Sequence, residues 1–143
     1  MNALIDTSVW SLVLGRKPAD LSAADQRFVD ELADLVREGR ARIIGLVRQE
    51  LLSGIKSGAQ YEELRLALRA FPDEPIDTSD YEAAAQFSNG CRSKGITTSV
   101  VDALICAIAL GRRWSIFTRD SDFRNYAKVL PITLHSPRSA SDN

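Results

Sequence analysis

The amino-acid sequence predicts a single α/β domain built around a mainly parallel sheet. Strand-like and helix-like segments alternate along the chain, which is the pattern of a parallel sheet covered by helices. The chain has 143 residues, of which 45% are hydrophobic and 26% charged, as is typical of one globular domain with its own core. We place this domain at residues 1–135 and predict a polar, flexible tail at 136–143.

Short apolar runs predict the strands of this sheet. Runs of this kind, bounded by turn or helix signals, are typical of strands that are buried on both faces. The first stands almost at the start of the chain, and the fourth directly follows the most apolar helix. In chain order, the predicted strands are 3–5, 42–46, 75–76, 115–118 and 132–134, of which the third is minor.

Capping and stop signals bound the predicted helices. Ser22 and Ser79 each stand three positions before an acidic residue, which is the spacing of a capping box. Gly39, Pro72 and Gly95 are expected to end helices. The last helix is apolar almost all round, so we expect it to be buried on most faces. In chain order, the predicted helices lie near 9–13, at 22–38, from about 47, and at 61–71, 79–94 and 99–112.

Composition narrows the classes of function. A net charge of -1 and a pI near 5.8 provide no bulk basic field, so nucleic-acid binding would need a local patch. Cys91 and Cys106 lack paired spacing and are expected to be reduced core thiols. We find neither a signal peptide nor an apolar stretch that could span a bilayer. We therefore expect a cytoplasmic protein without membrane contact.

Four acidic residues stand next to apolar segments, where charge is costly. Asp6 directly follows the first predicted strand and Asp120 follows the fourth, whereas Glu50 lies in about the first turn of the helix after the second. Asp102 lies in the first turn of the apolar helix, where an unpaired carboxylate would cost several kcal/mol. Because ligands of open parallel sheets bind beyond the carboxyl ends of the strands, we expect the four to meet there.

Each acid, taken singly, also has a structural explanation. Asp6 could cap the helix that follows it. Glu50 could be a solvated residue that is favoured near a helix N-terminus, and Asp120 with Asp122 could form a turn and a cap. Asp102 has the weakest explanation of this kind, since its neighbours in the helix are apolar. For the single residues these alternatives stay open.

The four acids together indicate a metal site. Carboxylates that share one edge raise one another's pKa unless a cation neutralises them. Oxygen ligands without His or Cys in motif spacing suit Mg²⁺, with Mn²⁺ as a substitute, better than zinc. Such a site is typical of phosphodiester hydrolysis, in which the metal activates a water molecule for attack on phosphorus.

Other hydrolytic mechanisms lack their residues. His135 is the one histidine, so a two-histidine ribonuclease mechanism is excluded. A Ser-His-Asp triad would have to use the same residue, and no Gly-x-Ser-x-Gly segment presents a serine. We expect His135 to be a surface or packing residue. The sequence also lacks a Gly-rich phosphate-binding loop.

The four acids stand in the segments 4–10, 48–54, 101–107 and 118–123. In order and spacing, these segments resemble the acidic motifs of PIN-domain ribonucleases. The chain length resembles that of VapC toxins from VapBC toxin-antitoxin pairs. By resemblance, the metal-binding and catalytic acids are Asp6, Glu50, Asp102 and Asp120. The resemblance also implies an auxiliary acid and three hydroxyls that orient carboxylates or a metal-bound water: Asp122, Thr7, Ser8 and Thr118.

The resemblance carries expectations about fold, activity and partners. It implies a three-layer α/β/α sandwich, a homodimer, and a Mg²⁺-dependent endoribonuclease toxin. Its partners would be a VapB-type antitoxin that lies across the acidic groove and a structured tRNA or rRNA that is cleaved. Three basic residues near the motifs are candidates for RNA contacts, although each could also be a solvated charge: Arg119, Arg48 and Arg16.

Two other functions would also fit parts of this sequence. A non-catalytic RNA-binding module could share the fold, but it would have no reason to retain four costly acids. A haloacid-dehalogenase-like phosphatase also begins with a strand followed by Asp. That chemistry needs a second acid two positions on, where this chain has Ser8. We therefore favour the endoribonuclease.

Overall fold

Three short strands form the centre of the fold, and helices surround them. The computed structural model describes residues 1–15 and 20–138, and within these ranges it contains three strands and seven helices. In chain order they are β1 (Ala3–Ile5), α1 (Thr7–Gly15), α2 (Ala23–Arg37), β2 (Ala41–Arg42), α3 (Gly45–Leu52), α4 (Gly58–Leu68), α5 (Thr78–Arg92), α6 (Val100–Arg112), β3 (Ser115–Phe117) and α7 (Asp122–Tyr126).

The sheet is parallel, with β1 between β2 and β3. The chain therefore crosses from β1 to β2 in one direction and from β2 over β1 to β3 in the other. Right-handed crossovers that run in opposite directions place their helices on opposite faces of a sheet. The predicted parallel sheet and three-layer α/β/α sandwich are thus confirmed. The change of direction also makes the carboxyl ends of β1 and β3 the expected ligand-binding edge.

Helix α6 forms the most buried helical layer of the core. Every residue from Ala103 to Ala109 is buried, which confirms the burial that its all-round apolar sequence predicts. The helix packs against α5 and against both β1 and β3. Because α6 ends at Arg112, just before the amino end of β3, its first turn lies at the opposite edge. That edge is where β1 and β3 end, so Asp102 is brought there.

The boundary between the second strand and its helix differs from the prediction. The strand β2 ends at Arg42, and α3 already begins at Gly45, with the extended residue Ile44 as its N-cap. A continuous apolar run hides such a boundary, since periodicity does not separate a buried strand from the first turn of a buried helix. Glu50 consequently lies in the second turn of α3 rather than in about the first.

The third and fifth predicted strands are not strands in the structure. An isolated bridge joins Ile43 to Asp73, just before the third run, and another joins Ile116 to Leu134 of the fifth run. A proline stands in or directly before each of the two runs, and proline cannot donate to a strand ladder. In the described chain, the fifth run therefore joins an edge of the sheet through one isolated bridge, whereas the bridge near the third run is made by Asp73, two residues before it.

Two helices have bounds that the sequence signals did not predict. Ser57 caps α4, so the helix begins at Gly58 rather than near residue 61, and it ends at Leu68 rather than next to the proline. The helix α7 is not among the predicted helices, since only a turn and a cap were considered at Asp120 and Asp122. Its short length gives little room for the apolar periodicity that identifies longer helices.

The capping box of α5 lies two residues before the predicted one. The Asp77 side chain accepts a hydrogen bond from the Asp80 N–H, and the Asp80 side chain accepts one from the Asp77 N–H. Ser79 and Glu82 share the spacing of the true pair, but Asp77 has the extended backbone that an N-cap needs. Two overlapping patterns of the same spacing thus led to the wrong start.

Arg112, the last residue of α6, ties this helix to the start of α5. Its guanidinium donates two hydrogen bonds to Asp80, of 2.7 and 2.9 Å, and a further one of 2.9 Å to Glu74. The bidentate pair with Arg112 is the main cause that holds the pKa of Asp80 at about 2. The contact therefore favours the ionised form of Asp80 in the folded protein.

Replacing Asp80 by Asn should lower the free energy of unfolding at neutral pH by about 1 to 2 kcal/mol, after allowance for solvent screening. Because the folded pKa lies below that of the unfolded chain, this stabilisation exists above about pH 4 and disappears as the pH falls toward 2. Urea unfolding of both proteins between pH 7 and 3 measures the difference. Glu62→Gln, which removes an exposed helical ion pair with Arg65, serves as the control. A difference that is independent of pH would contradict the assignment.

The end of the described chain is anchored to α2. Glu31 is 2% exposed, its Oε2 lies 2.6 Å from His135 Nε2, and its Oε1 accepts a 2.9 Å hydrogen bond from Arg138. Burial raises the pKa of Glu31, but these bonds outweigh it and hold the pKa below its usual range. His135 is thus a packing residue, as expected. Residues 139–143 of the predicted tail lie outside the described residues, and the extent of the tail stays a prediction.

Candidate metal centre

Asp6 lies at the centre of a hydrogen-bonded cluster at the carboxyl ends of β1 and β3. Its side chain is buried, with 6% of the residue exposed. Its backbone N–H donates to the Phe117 carbonyl at 2.9 Å, which joins the ends of the two strands. Its Oδ2 accepts hydrogen bonds from Ser8 Oγ at 2.8 Å and from Thr118 Oγ1 at 2.7 Å. Two hydroxyls therefore hold one oxygen of this carboxylate in place.

The same two hydroxyls also position the loop after β3. The Asp120 N–H donates to Thr118 Oγ1 at 3.0 Å, and the Arg119 N–H donates to Ser8 Oγ at 2.9 Å. Ser8 and Thr118 therefore hold both the Asp6 carboxylate and the loop backbone, and their role toward a metal-bound water stays a prediction. The backbone of the loop after β3 is thus linked to Asp6 through the side chains of Ser8 and Thr118.

Three further carboxylates face one another beside Asp6. Oxygen atoms of Asp102, Asp120 and Asp122 all lie within 4.8 Å of one another. The Asp122 N–H donates to Asp120 Oδ1 at 2.9 Å, which fixes the turn that presents both side chains. Asp122 was predicted only as an auxiliary residue, yet the structure places it in this closest group. The two loop acids are exposed, so a solvated ligand can reach them.

Asp102 occupies the N-terminal turn of α6 and is partly exposed rather than enclosed. Its N–H donates to the Ser99 hydroxyl at 3.0 Å, which caps the helix, and its Oδ2 accepts a 2.8 Å hydrogen bond from Tyr126. Desolvation is the largest cause that raises the pKa of Asp102, and the charges of Asp6 and Asp120 raise it further. The surroundings therefore destabilise the ionised form of Asp102.

Glu50 lies on the other side of Asp6, on α3. It is exposed and does not belong to the group of three within the described residues, but desolvation and then the charge of Asp6 raise its pKa. A hydrogen bond with the Thr7 side chain partly offsets this rise. Acids that repel one another, with hydroxyl oxygens beside them, fit a site for a hard cation.

The predicted RNA-contact residues are bound mainly to the chain itself. Arg48 donates to Asp73 Oδ1 at 2.8 Å, to the Leu68 carbonyl at 3.0 Å and to the Phe71 carbonyl. Arg119 donates to Asp25 of α2 at 2.7 Å. The third candidate, Arg16, lies outside the described residues. These contacts give Arg48 and Arg119 structural roles, and their contact with RNA stays untested.

The sequence and the fold of the chain match those of known proteins. The model of the PIN domain family matches residues 3–129. Over 139 residues the chain is 31% identical to VapC ribonuclease Mb1587 of Mycobacterium bovis. The aligned region covers 94% of this chain and 98% of that protein. Ribonuclease VapC11 of Mycobacterium tuberculosis matches to the same extent. The chain belongs to the VapC ribonuclease family of PIN-domain proteins.

Solved structures share the fold of this VapC-family chain. FitAcB from Neisseria gonorrhoeae has a TM-score of 0.74 at 22% identity, covering 94% of this chain and 97% of its own. VapBC2 from Rickettsia felis, solved with a DNA fragment from its promoter, has a TM-score of 0.73 at 15% identity and covers 94% and 98%. At these identities the likeness concerns the fold alone. It agrees with the sandwich that the strand order and crossovers indicate.

One contact in the site of this VapC-family protein has no counterpart in the sequence predictions. The hydroxyl of Tyr126 binds Asp102, although the two residues lie on different helices. A local signal existed, because Tyr126 follows Asp122 by four positions and so lies one helical turn beyond it on the same side of α7. This spacing is informative only once residues 122–126 are known to form a helix.

Proposed function

We propose that this VapC-family protein is a Mg²⁺-dependent endoribonuclease that acts as the toxin of a toxin-antitoxin pair. The observation that carries the proposal is the convergence of carboxylates at one sheet edge, with Asp102, Asp120 and Asp122 within 4.8 Å of one another. Asp6 is hydrogen-bonded into the same cluster through Thr118. The names of the curated relatives, which are ribonucleases, support RNA as the substrate.

The donor atoms of the site fit Mg²⁺ or Mn²⁺. Asp6, Asp102 and Asp120 would hold the ion, with Glu50 and Asp122 completing the set. Within the described residues, the site contains oxygen donors and no histidine, since the single histidine is bound to Glu31. When bound, the cation would neutralise the mutual repulsion of the carboxylates, polarise a phosphodiester and lower the pKa of a water molecule.

The chain's own residues orient the carboxylates and leave their charge for a cation to compensate. Ser8 and Thr118 fix Asp6, so this carboxylate does not need to reorganise when a ligand arrives. Desolvation and neighbouring acids raise the pKa of Glu50 and Asp102, so the chain itself does not fully compensate the charges of these two carboxylates. A bound cation would supply that compensation.

Partners of the protein follow from the same site. We propose a VapB-type antitoxin that covers the acidic edge with a basic side chain, as the charge of the edge favours. VapBC and FitAB complexes among the structural neighbours support such a partner. A homodimer, a cytoplasmic location and a tRNA or rRNA substrate are parts of the proposal. In the described part of the chain, no helix is both long and apolar enough to cross a membrane.

EDTA should lower the rate of RNA cleavage by the purified protein by roughly 10²-fold or more, and excess Mg²⁺ should restore it. The physical reason is that the clustered carboxylates repel both one another and the phosphate backbone without a cation. Gel analysis of cleaved total RNA, with Mg²⁺ and with EDTA, measures the effect. Cleavage that EDTA leaves unchanged would contradict the proposal. RNA that binds but stays intact with Mg²⁺ and Mn²⁺ would favour the non-catalytic module, and hydrolysis of a small phosphomonoester would favour the phosphatase.

A further inference from the structure

The short helix α7 connects two parts of the acidic site. Asp122 stands at its first position, directly after the loop that carries Asp120, and Tyr126 stands at its last. From there the Tyr126 hydroxyl donates a 2.8 Å hydrogen bond to Asp102 Oδ2 on α6. One turn of α7 and a single hydrogen bond therefore connect Asp122 to Asp102.

Tyr126 is held rigidly enough to impose a position on its partner. The residue is only 2% exposed, and its ring packs edge-on against Phe123, with ring centroids 5.1 Å apart. A tyrosine hydroxyl is protonated at neutral pH, so it acts as the donor to the carboxylate. Asp102, in contrast, is partly exposed and has room to rotate toward solvent. The buried partner thus determines the orientation of the exposed one.

We propose that Tyr126 is a positioning residue that orients Asp102 toward Asp120 and Asp122 and thereby sets the affinity of the site for a divalent cation. The hydrogen bond uses one oxygen of the Asp102 carboxylate, so the carboxylate keeps a second oxygen for a ligand. Partners that orient a metal-binding group in this way commonly change metal affinity by about 10- to 100-fold. The inference rests on the proposed metal-dependent function and assigns the residue that tunes it.

The ring and the hydroxyl of Tyr126 have separable roles. The ring fills part of the core together with Phe123, which is 0% exposed. The hydroxyl makes the contact with Asp102. Tyr126→Phe removes only the hydroxyl, whereas Tyr126→Leu removes the hydroxyl and also the ring packing. A purely structural role would make the effects of the two variants differ in proportion to their loss of stability.

Titration of the full-length protein with Mn²⁺, followed by the electron paramagnetic resonance signal of free Mn²⁺, tests the inference without any RNA. Tyr126→Phe should weaken Mn²⁺ binding about 10-fold, and Tyr126→Leu should weaken it to a similar extent despite a larger fall in Tm. Tyr81→Phe, which makes the same chemical change at a residue that is 56% exposed on α5, should bind Mn²⁺ like the parent protein.

Activity measurements give an independent readout. The rate of RNA cleavage by Tyr126→Phe should fall at low Mg²⁺ and recover as Mg²⁺ is raised, while KM for RNA stays unchanged. Unchanged Mn²⁺ affinity in a folded Tyr126→Phe protein would overturn the role of Tyr126 and leave the proposed nuclease standing. Affinity that follows Tm across the two variants would also overturn it. A parent protein that fails to bind Mn²⁺ would overturn both proposals.

Discussion

Replacing Asp102 by Asn should reduce RNA cleavage by about 10³-fold, equivalent to about 4 kcal/mol of transition-state stabilisation. Asn keeps the size of the side chain but removes the negative charge and the basic oxygen. The substitution therefore weakens the proposed cation site and removes one of the two carboxylates with a raised pKa. Initial rates of cleavage of a defined RNA at saturating Mg²⁺ measure the effect.

The same substitution should leave the fold intact and even stabilise it without metal. Because burial and the neighbouring acids raise the pKa of Asp102, its ionised form destabilises the folded protein at pH values above that pKa. Asn at this position should therefore give a Tm in EDTA equal to or above that of the parent, with a smaller gain of Tm on addition of Mn²⁺. Asp30→Asn, on the exposed side of α2, is the control. Full activity of a folded Asp102→Asn protein would refute the role of Asp102.

Local patterns predicted the placement of the site because the site depends on topology. Asp6 directly follows a strand whose residues are all buried, and Asp102 opens a helix that is buried along most of its length. Parallel strands end at a common edge, and the helices between them run in the opposite direction. An acid directly after a strand and an acid in the first turn of a helix therefore reach the same edge of the sheet, whatever the details of side-chain packing.

The contacts that orient the acids could not be predicted in the same way. Tyr126 and Asp102 are 24 positions apart, and Thr118 and Asp6 are 112 positions apart. Hydrogen bonds of this kind depend on how helices and loops pack, which local periodicity does not encode. The approach of Asp122 to Asp102 likewise exists only after α7 and α6 have packed together.

Arg48 shows why residue type and motif position do not reveal every partner of a side chain. It lies two positions before Glu50, and a cation beside an acidic motif suggests contact with phosphate. In the structure its side chain is only 19% exposed, and its donors bind Asp73 and two backbone carbonyls at the end of α4 and just after it. Backbone acceptors carry no sequence signal. Tertiary structure alone identifies Arg48 as the residue that holds this connection against α3.

Arg48→Ala should accordingly lower the free energy of unfolding by about 2 to 3 kcal/mol, which corresponds to a fall in Tm of roughly 5 to 10 °C. The loss arises because the carbonyls of Leu68 and Phe71 would lose their hydrogen bonds from Arg48. Water would replace these bonds only in part. The ion pair with Asp73 adds little, since the Asp73 side chain is 47% exposed. Thermal unfolding in EDTA, which removes any contribution of bound metal, measures this difference.

Arg65→Ala provides the matched control for this prediction. Arg65 also forms an ion pair, but with Glu62 on the same helix, and its removal should leave the free energy of unfolding nearly unchanged because solvent screens the pair. Arg48→Lys should fall between the two, because an ammonium keeps the charge but lacks the planar fork that reaches several acceptors. If Arg48→Ala instead kept the parent Tm and weakened binding to RNA, the phosphate contact would be correct and the structural role wrong. The structural role thus predicts a lower Tm for Arg48→Ala, whereas the phosphate contact predicts weaker RNA binding at an unchanged Tm.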